Sequence, residues 1–405
     1  MNLAISPPQG VTLRSAGDED WSAMRRLAAT SFGSFADPDT VATWQAMTSP
    51  ESVVLACDGA DVVGMSMVLD LEMTVPGGQL LPMAGVTWVA VAPTHRRRGV
   101  LRAMFAELHR RMVDAQYPLL GLLASEATIY GRFGYGPATI ENTLRVDRRA
   151  TQMHPGVPQP GGVRIVDPAQ HRDALVDIYD RWRRHTPGGL HTPAVLWDEV
   201  LADRESGRHG GSQLFTLLHS DGFAMYRTHT TDTSRSVEIT KFTAVTSIAR
   251  IALWQALLGL DLMETITVNT YPEDPLPYLL TDPRQARMVG SEDALWLRIA
   301  DIPTVLEARS YSRDVAVTVE VSDGELGGGG RFDLSIDDGR ARCVPSEASP
   351  DVHVDLSVLG SIYLGVHRPS AFARAHRLRC DSPSLLAHLD LAFASAVPAE
   401  LGYGF

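Results

Sequence analysis

The sequence predicts an α/β (α+β) protein of three consecutive units, and three observations carry that expectation. Strand-like apolar runs recur between amphipathic helical stretches through the first two thirds of the chain. At 405 residues the chain exceeds one ordinary core, since single domains hold roughly 100 to 200 residues. The stretch His154-Pro155-Gly156-Val157-Pro158-Gln159-Pro160-Gly161-Gly162 reads as a linker closing the first unit. The units are expected at residues 1–150, 163–300 and 301–405.

In the first unit, helices are expected at residues 23–35 and 40–47 and strands at 52–57 and 62–73. The most informative segment follows. Residues 86–92 are apolar on both alternating faces, as in a strand covered on both sides. Pro93 stops it, and Thr94-His95-Arg96-Arg97-Arg98-Gly99-Val100 leads into a helix whose Leu101, Met104, Phe105, Leu108 and Met112 recur at three- and four-residue steps. A second apolar run, residues 119–124, completes a strand–helix–strand crossover. The first amides of such a helix have no partner inside it, and a glycine lets the backbone approach a ligand. An anion belongs there, and arginines can pair with a diphosphate. A three-arginine run standing alone also reads as a solvated loop; its place between strand and helix favours the anion site.

This pattern resembles the acyl-CoA site of the GNAT acetyltransferase superfamily: an Arg or Gln, two variable residues, a Gly and a small or apolar residue, matched by Arg96-Arg97-Arg98-Gly99-Val100. A second hallmark, a tyrosine followed after three residues by Gly and an aromatic, is matched by Tyr130, Gly134 and Tyr135. In acetyl transfer to an amine, a base removes the ammonium proton and an acid helps the thiolate leave. A phenol with a pKa of about 10 stays protonated at neutral pH and suits the acid role. The other reading of Tyr130 is an aromatic wedge beside a glycine turn.

The second unit begins with a strand at 163–166 and a helix at 169–184, then strands at 213–218, 222–228 and 236–242 and a helix at 247–258. This repeats the first unit without its arginine–glycine loop, the place being taken by Thr243-Ala244-Val245-Thr246-Ser247-Ile248. The third unit opens with strands at 315–321 and 330–336, and helices are expected at 357–364, 369–375 and 382–393. Gly327-Gly328-Gly329-Gly330 lacks the Lys and Ser or Thr of a phosphate loop and reads as a hairpin turn.

Composition excludes several classes. The longest apolar candidate for a membrane span, residues 248–262, is interrupted by Arg250, Gln255 and Asp261, and no signal peptide is evident, so a cytoplasmic, non-membrane protein is expected. Cys57, Cys343 and Cys380 are too few and too scattered for a disulfide framework. The 13 histidines show no zinc-site spacing, so no metal is expected. A formal charge of −12 disfavours nucleic acid and suits a cationic partner. Lys241 is the single lysine among 36 basic residues, which at this level looks like a compositional skew.

Longer strings, among them Ala124-Ser125-Glu126, Asp274-Pro275-Leu276-Pro277 and Leu295-Trp296-Leu297-Arg298, identify the chain as resembling the enhanced intracellular survival (Eis) family of acetyltransferases along nearly its whole length. The resemblance implies an active GNAT domain, a second inactive GNAT-like domain and a C-terminal domain like sterol carrier protein. It implies acetyl-CoA as co-substrate, with backbone groups of Val89, Ala90 and Val91 on the pantetheine arm. Arg97, Arg98, Gly99, Val100, Leu101 and Arg102 would hold the pyrophosphate, and Ser125 and Glu126 would complete the contacts. Tyr130 is implied as general acid and the terminal carboxylate on Phe405 as general base. The apolar, aromatic end Leu401-Gly402-Tyr403-Gly404-Phe405 suits a packed tail; the other reading is a docked tail that only closes the pocket. The implied acceptor is a polycationic amine such as an aminoglycoside, in a pocket including Trp44, Phe32, Ser34 and Glu400, and the implied assembly is a homohexamer. Ser34 and Gly404 replace acidic residues of aminoglycoside-acetylating members; Asp37, Asp39 or Glu400 are candidates to restore that charge. A non-catalytic acyl-CoA or lipid-binding module and a protein lysine acetyltransferase remain as alternatives.

Overall fold

The computed structural model describes residues 5–33, 37–324 and 326–405, so Ser34 lies outside the described residues. From the N-terminus the elements are β1 (Val11–Arg14), α1 (Trp21–Phe32), α2 (Pro38–Ala46), β2 (Val53–Asp58), β3 (Asp61–Thr74), β4 (Leu80–Val91), α3 (Val100–Asp114), β5 (Leu119–Leu123), α4 (Ala127–Tyr130), β6 (Gly136–Pro137) and β7 (Ile140–Asp147). Next come β8 (Arg164–Val166), α5 (Arg172–Arg183), α6 (Ala194–Ala202), β9 (Phe215–His219), β10 (Gly222–Thr230), β11 (Arg235–Ala244), α7 (Ser247–Leu258), β12 (Thr265–Thr270), α8 (Leu276–Leu279), β13 (Ala286–Asp293) and β14 (Leu295–Ile299). The last unit holds α9 (Ile302–Ala308), β15 (Val315–Ser322), β16 (Gly330–Asp337), β17 (Arg340–Pro345), β18 (Val352–Asp355), α10 (Leu356–Tyr363), α11 (Pro369–Arg374), β19 (Leu378–Cys380) and α12 (Pro383–Ala392).

Among the described residues three sheets form, in the orders β1-β2-β3-β4-β5-β14-β6, β13-β7-β12-β11-β10-β9-β8 and β17-β16-β15-β18-β19. The first two exchange strands, so divisions at residues 150 and 163 do not follow the sheets. Strand β14, from the end of the second segment, pairs with β5 from Leu295↔Leu123 to Ile299↔Leu119. Strand β7 lies between β12 and β13 of the second sheet. All five residues of β14 are buried: Leu295, Leu297 and Ile299 enter one core and Trp296 another, while β5 and β6 pair with its two edges. A linker composition marks where the chain is covalently loose; strand pairing follows buried apolar surface.

Helix α3 forms because its apolar residues fall on one face. Val100, Ala103, Met104, Phe105, Leu108 and Met112 are buried on the sheet, each large side chain contributing roughly 1.5–3 kcal/mol. The units are also pinned by buried charge. Arg298 of β14 donates to the Phe133 carbonyl at 2.8 Å and pairs with Asp323 of the third unit at 2.6 Å. Its guanidinium occupies the space beside Gly134 (φ +79°), where any Cβ would collide with it. The third unit's apolar interior, lined by residues such as Leu306, Phe332, Leu359 and Phe393, leaves a cavity of only about 30 Å³. Among the described residues, no helix is long and apolar enough to cross a membrane.

Candidate active site

The site originates in a break between two strands. Strand β4 pairs in parallel with β5 only from Met83↔Leu119 to Val86↔Leu122. Just beyond, β4 carries one more residue than β3, Thr87 facing Met67 and Ala90 facing Met65, and Trp88 takes φ +51°. Such a bulge bends the strand and turns it from its neighbour. Trp88 is held by an edge contact with Trp21, ring centres 6.1 Å apart. On the β5 side the backbone from Thr87 to Val91 therefore has no strand partner among the described residues. A cavity of about 190 Å³ lies in the opening, lined by Phe32, Trp88, Val89, Ser125, Tyr130 and Phe405 among others.

At the far end of the opening, Gly99 (φ +87°) caps α3 without any side-chain bond to the helix amides. Nothing lies within 4 Å of where its Cβ would be, so this glycine is required by its left-handed backbone, and its open face leaves the helix start accessible. As the first residues of the helix, Val100 and Leu101 have no carbonyl within it for their amides to bond. Arg97 (φ +61°) and Arg98 are exposed beside it. Ala90 and Val100 are buried, 4% and 1% exposed, so only their backbone can serve a ligand. This combination fits a diphosphate-bearing acyl carrier: an uncapped helix start, exposed guanidiniums and unpaired strand backbone leading to a cavity.

Tyr130 ends α4 at the inner wall of the cavity and is 5% exposed. Burial holds its phenol above the ordinary value, Glu126 adds to this, and a hydrogen bond with the Ser125 side chain opposes it. The ring rests near Phe105, 6.0 Å between centres, and Tyr135, 6.4 Å. Beneath lies His109, which the sequence reading did not single out. Its Nδ1 donates to the Phe105 carbonyl at 2.5 Å. Its Nε2 therefore accepts from the Tyr135 hydroxyl at 3.0 Å. Burial, reinforced by the charge of Arg298, pulls the imidazole down to about 3 and keeps it neutral.

The chain end reaches this site by a tightly packed route. The Glu400 amide donates to the Pro187 carbonyl at 2.9 Å, and the Tyr403 hydroxyl to the His191 carbonyl at 3.0 Å. Lys241 Nζ donates to the Gly402 carbonyl at 2.6 Å. Phe405 then enters the Tyr130 cavity, its ring 3.0 Å from where a Cβ on Gly85 would stand. Residues 400–404 line a second cavity of about 610 Å³ with Glu141, Glu199, Glu238, Lys241 and Asn269. There Glu199 is paired with Arg204 and Glu238 with His229, while burial pushes the Glu400 carboxyl up to about 7.

Val89, Ser125, Tyr130, Phe405 and Phe32 thus line one cavity, and Val91, Arg97, Arg98, Leu101, Arg102 and Glu126 lie along the strand, loop and helix that border it. The remaining expected pocket residues lie apart from Phe32. Glu400 faces the larger neighbouring cavity and is not among the residues lining the Tyr130 cavity. Trp44 is half-buried against the core and lines neither cavity. Asp37 and Asp39 are engaged at the surface, Asp37 capping α2 and Asp39 pairing with Arg204 at 2.8 Å.

Similarities to known proteins agree with this geometry. Residues 12–138 and 188–299 each match an acetyltransferase (GNAT) domain family, and residues 302–399 match a sterol carrier protein domain family. The chain is 50% identical to N-acetyltransferase Eis of Mycobacterium tuberculosis (strain CDC 1551 / Oshkosh), over 98% of this chain and 100% of that protein. It is 32% identical to an uncharacterized N-acetyltransferase of Streptomyces avermitilis, over 97% and 99%. Among solved structures, Eis1 from Mycobacterium abscessus superposes with a TM-score of 0.87 at 28% identity, covering 97% of this chain and 100% of that one. The chain therefore belongs to the Eis family of GNAT-superfamily N-acetyltransferases.

Proposed function

We propose that the protein is an acetyl-CoA-dependent N-acetyltransferase for primary amines of polycationic small molecules, aminoglycosides among them, acting as a homohexamer. The observation that carries this reading is the joint presence of Tyr130 and Phe405 in one cavity at the β4–β5 opening. Acetyl-CoA supplies an acyl group activated as a thioester. The β5-facing backbone of Val89, Ala90 and Val91 orients the pantetheine arm, while Arg97, Arg98, Arg102 and the amides of Gly99, Val100 and Leu101 bind the pyrophosphate. Ser125 and Glu126 border the thioester end.

Tyr130 Oη holds its proton at neutral pH because burial disfavours the phenolate, and it gives that proton to the departing sulfur. The terminal carboxylate on Phe405 takes the proton of the incoming ammonium, directly or through one water. An α-carboxyl of pKa about 3.5 is a weak base in water, so it works here where the bound acceptor displaces solvent from it or through one bridging water. The second cavity, with Glu141 and Glu400, receives distal cationic groups of the acceptor, which accords with a net charge of −12. The second sheet binds no cofactor. Acetylating an aminoglycoside amine removes a positive charge, a route to antibiotic resistance.

The test is CoA thiol release with an aminoglycoside as acceptor. Amine-dependent release is expected, whereas acetyl-CoA binding without turnover would favour a sensing module. That module reading has little room for an apolar ligand in a cavity of about 30 Å³.

A further inference from the structure

Lys241 has no assigned role, yet its surroundings are specific. It follows a bulge in β11: Ile239 faces Tyr226 and Lys241 faces Met225, leaving Thr240 as the extra residue. The bulge changes the side of the sheet. Ile239 and Tyr226 belong to the core beneath α7, whereas Met225 packs with Tyr179 and Trp182 of α5. Without the extra residue Lys241 would share the Ile239 face; with it, the ammonium emerges over the Tyr179 ring, 4.6 Å from its centre.

The parallel pairing of β11 with β12 ends at Ile239↔Val268, so Lys241 stands in the opening of the second sheet, at the place corresponding to Val89 and Ala90 in the first. The chain end fills that opening. Lys241 donates to the Gly402 carbonyl at 2.6 Å, three residues before Phe405. Gly402 is packed so closely that a Cβ would collide with the Tyr179 hydroxyl, which is itself fixed by donation to the Leu190 carbonyl at 2.9 Å. All other 35 cationic side chains in the sequence are arginine. A compact ammonium can sit on an aromatic face and point at one carbonyl, where a planar fork spreads its donors.

We propose that Lys241 is a positioning residue for the chain end: the second sheet's opening serves as a clamp in which its ammonium holds the Gly402 carbonyl and so delivers Phe405 to Tyr130. The proposal rests on the reading of Phe405 as the base-bearing residue.

The test compares wild-type enzyme, Lys241→Met, Gly402→Ala, a chain lacking Phe405, and Lys241→Met in that shortened chain. Carboxypeptidase Y reads whether the tail is docked. Removal of Phe405 from the Lys241→Met enzyme should be about tenfold faster than from wild type, the scale of one lost charge-assisted hydrogen bond. In the acetyl-transfer assay kcat should fall by about the same factor with the KM for acetyl-CoA unchanged. Gly402→Ala, which displaces the tail with Lys241 intact, should reproduce both effects and carries the test if Lys241→Met does not fold. In the shortened chain Lys241→Met should cost nothing further, because a residue acting only through the tail cannot act when its target is gone. Wild-type carboxypeptidase rates in folded Lys241→Met, or a multiplying loss in the shortened chain, overturn the proposal alone. Full turnover by the chain lacking Phe405 overturns the base reading and the clamp's purpose with it.

Discussion

The first two sheets share one backbone plan and differ in what they do with it. In each, a parallel strand pair stops just before a bulge, at Val86↔Leu122 in one and Ile239↔Val268 in the other, and a helix follows the bulged strand. In the first sheet eight residues, 92–99, separate β4 from α3, and the helix starts at a glycine with no side-chain cap. In the second only Val245 and Thr246 separate β11 from α7, and the Thr246 side chain accepts from the Ala249 amide at 3.2 Å. The opening between strands is therefore generic. A phosphate site needs the longer loop and a helix start left unsatisfied, and a single threonine cap with a short loop closes that option. The second opening is then available to hold the chain end.

This contrast can be broken at its strongest point first. Tyr130→Phe removes the only proposed acid and should lower kcat on the order of 10²–10⁴-fold, with the acetyl-CoA Kd unchanged by calorimetry. A smaller loss than that would return Tyr130 to the role of a wedge. Gly99→Asp sets a negative charge and a strained backbone at the uncapped helix start. Its acetyl-CoA Kd should rise about 10- to 100-fold, and an unchanged Kd would mean that the first helix start is not the diphosphate site.

A third prediction concerns the cores beneath the two openings. Helix α7 buries only Ala249, Ala252, Leu253, Trp254 and Leu257, whereas α3 buries His109. The folded pKa of His109, about 3, lies below its unfolded value of 6.5, so the unfolded chain takes up the proton first. The stabilisation is complete above pH 6.5 and is lost as pH falls toward 3, by about 1.4 kcal/mol per pH unit. Denaturant titrations between pH 7 and 4.5 should show this slope, and His109→Asn should flatten it; equal slopes in both proteins would remove His109 from the account. The smallest effect belongs to the second sheet. Thr246→Ala should cost about 1 kcal/mol of stability through loss of the cap, with acetyl-CoA binding unaltered in the same calorimetric assay.

Much of the first site is legible in the sequence because its parts are local. The periodicity of α3, the glycine before it and the tyrosine after β5 all lie between Gly99 and Tyr130, and the structure has Val100–Asp114 helical as that periodicity requires. What was hidden depends on distant partners. The pentapeptide of β14 would read the same in any sheet, and only its pairing with β5 assigns it to the first. The first half of β4 escaped notice because Pro82 and Gly85 break a strand pattern. Lys241 looked like a compositional accident, since its partner lies 161 residues away. Glu400 was legible as a nearby carboxylate, but which of two adjoining cavities it faces depends on the path of residues 401–404.

Proton transfer by the chain end can be tested directly. Two or three residues appended after Phe405 would move the carboxylate out of the Tyr130 cavity while leaving the pyrophosphate loop untouched. If the terminal carboxylate is the base, the acetyl-CoA Kd stays unchanged and kcat falls on the order of 100-fold. Undiminished turnover by the extended chain, with Kd intact, would contradict it.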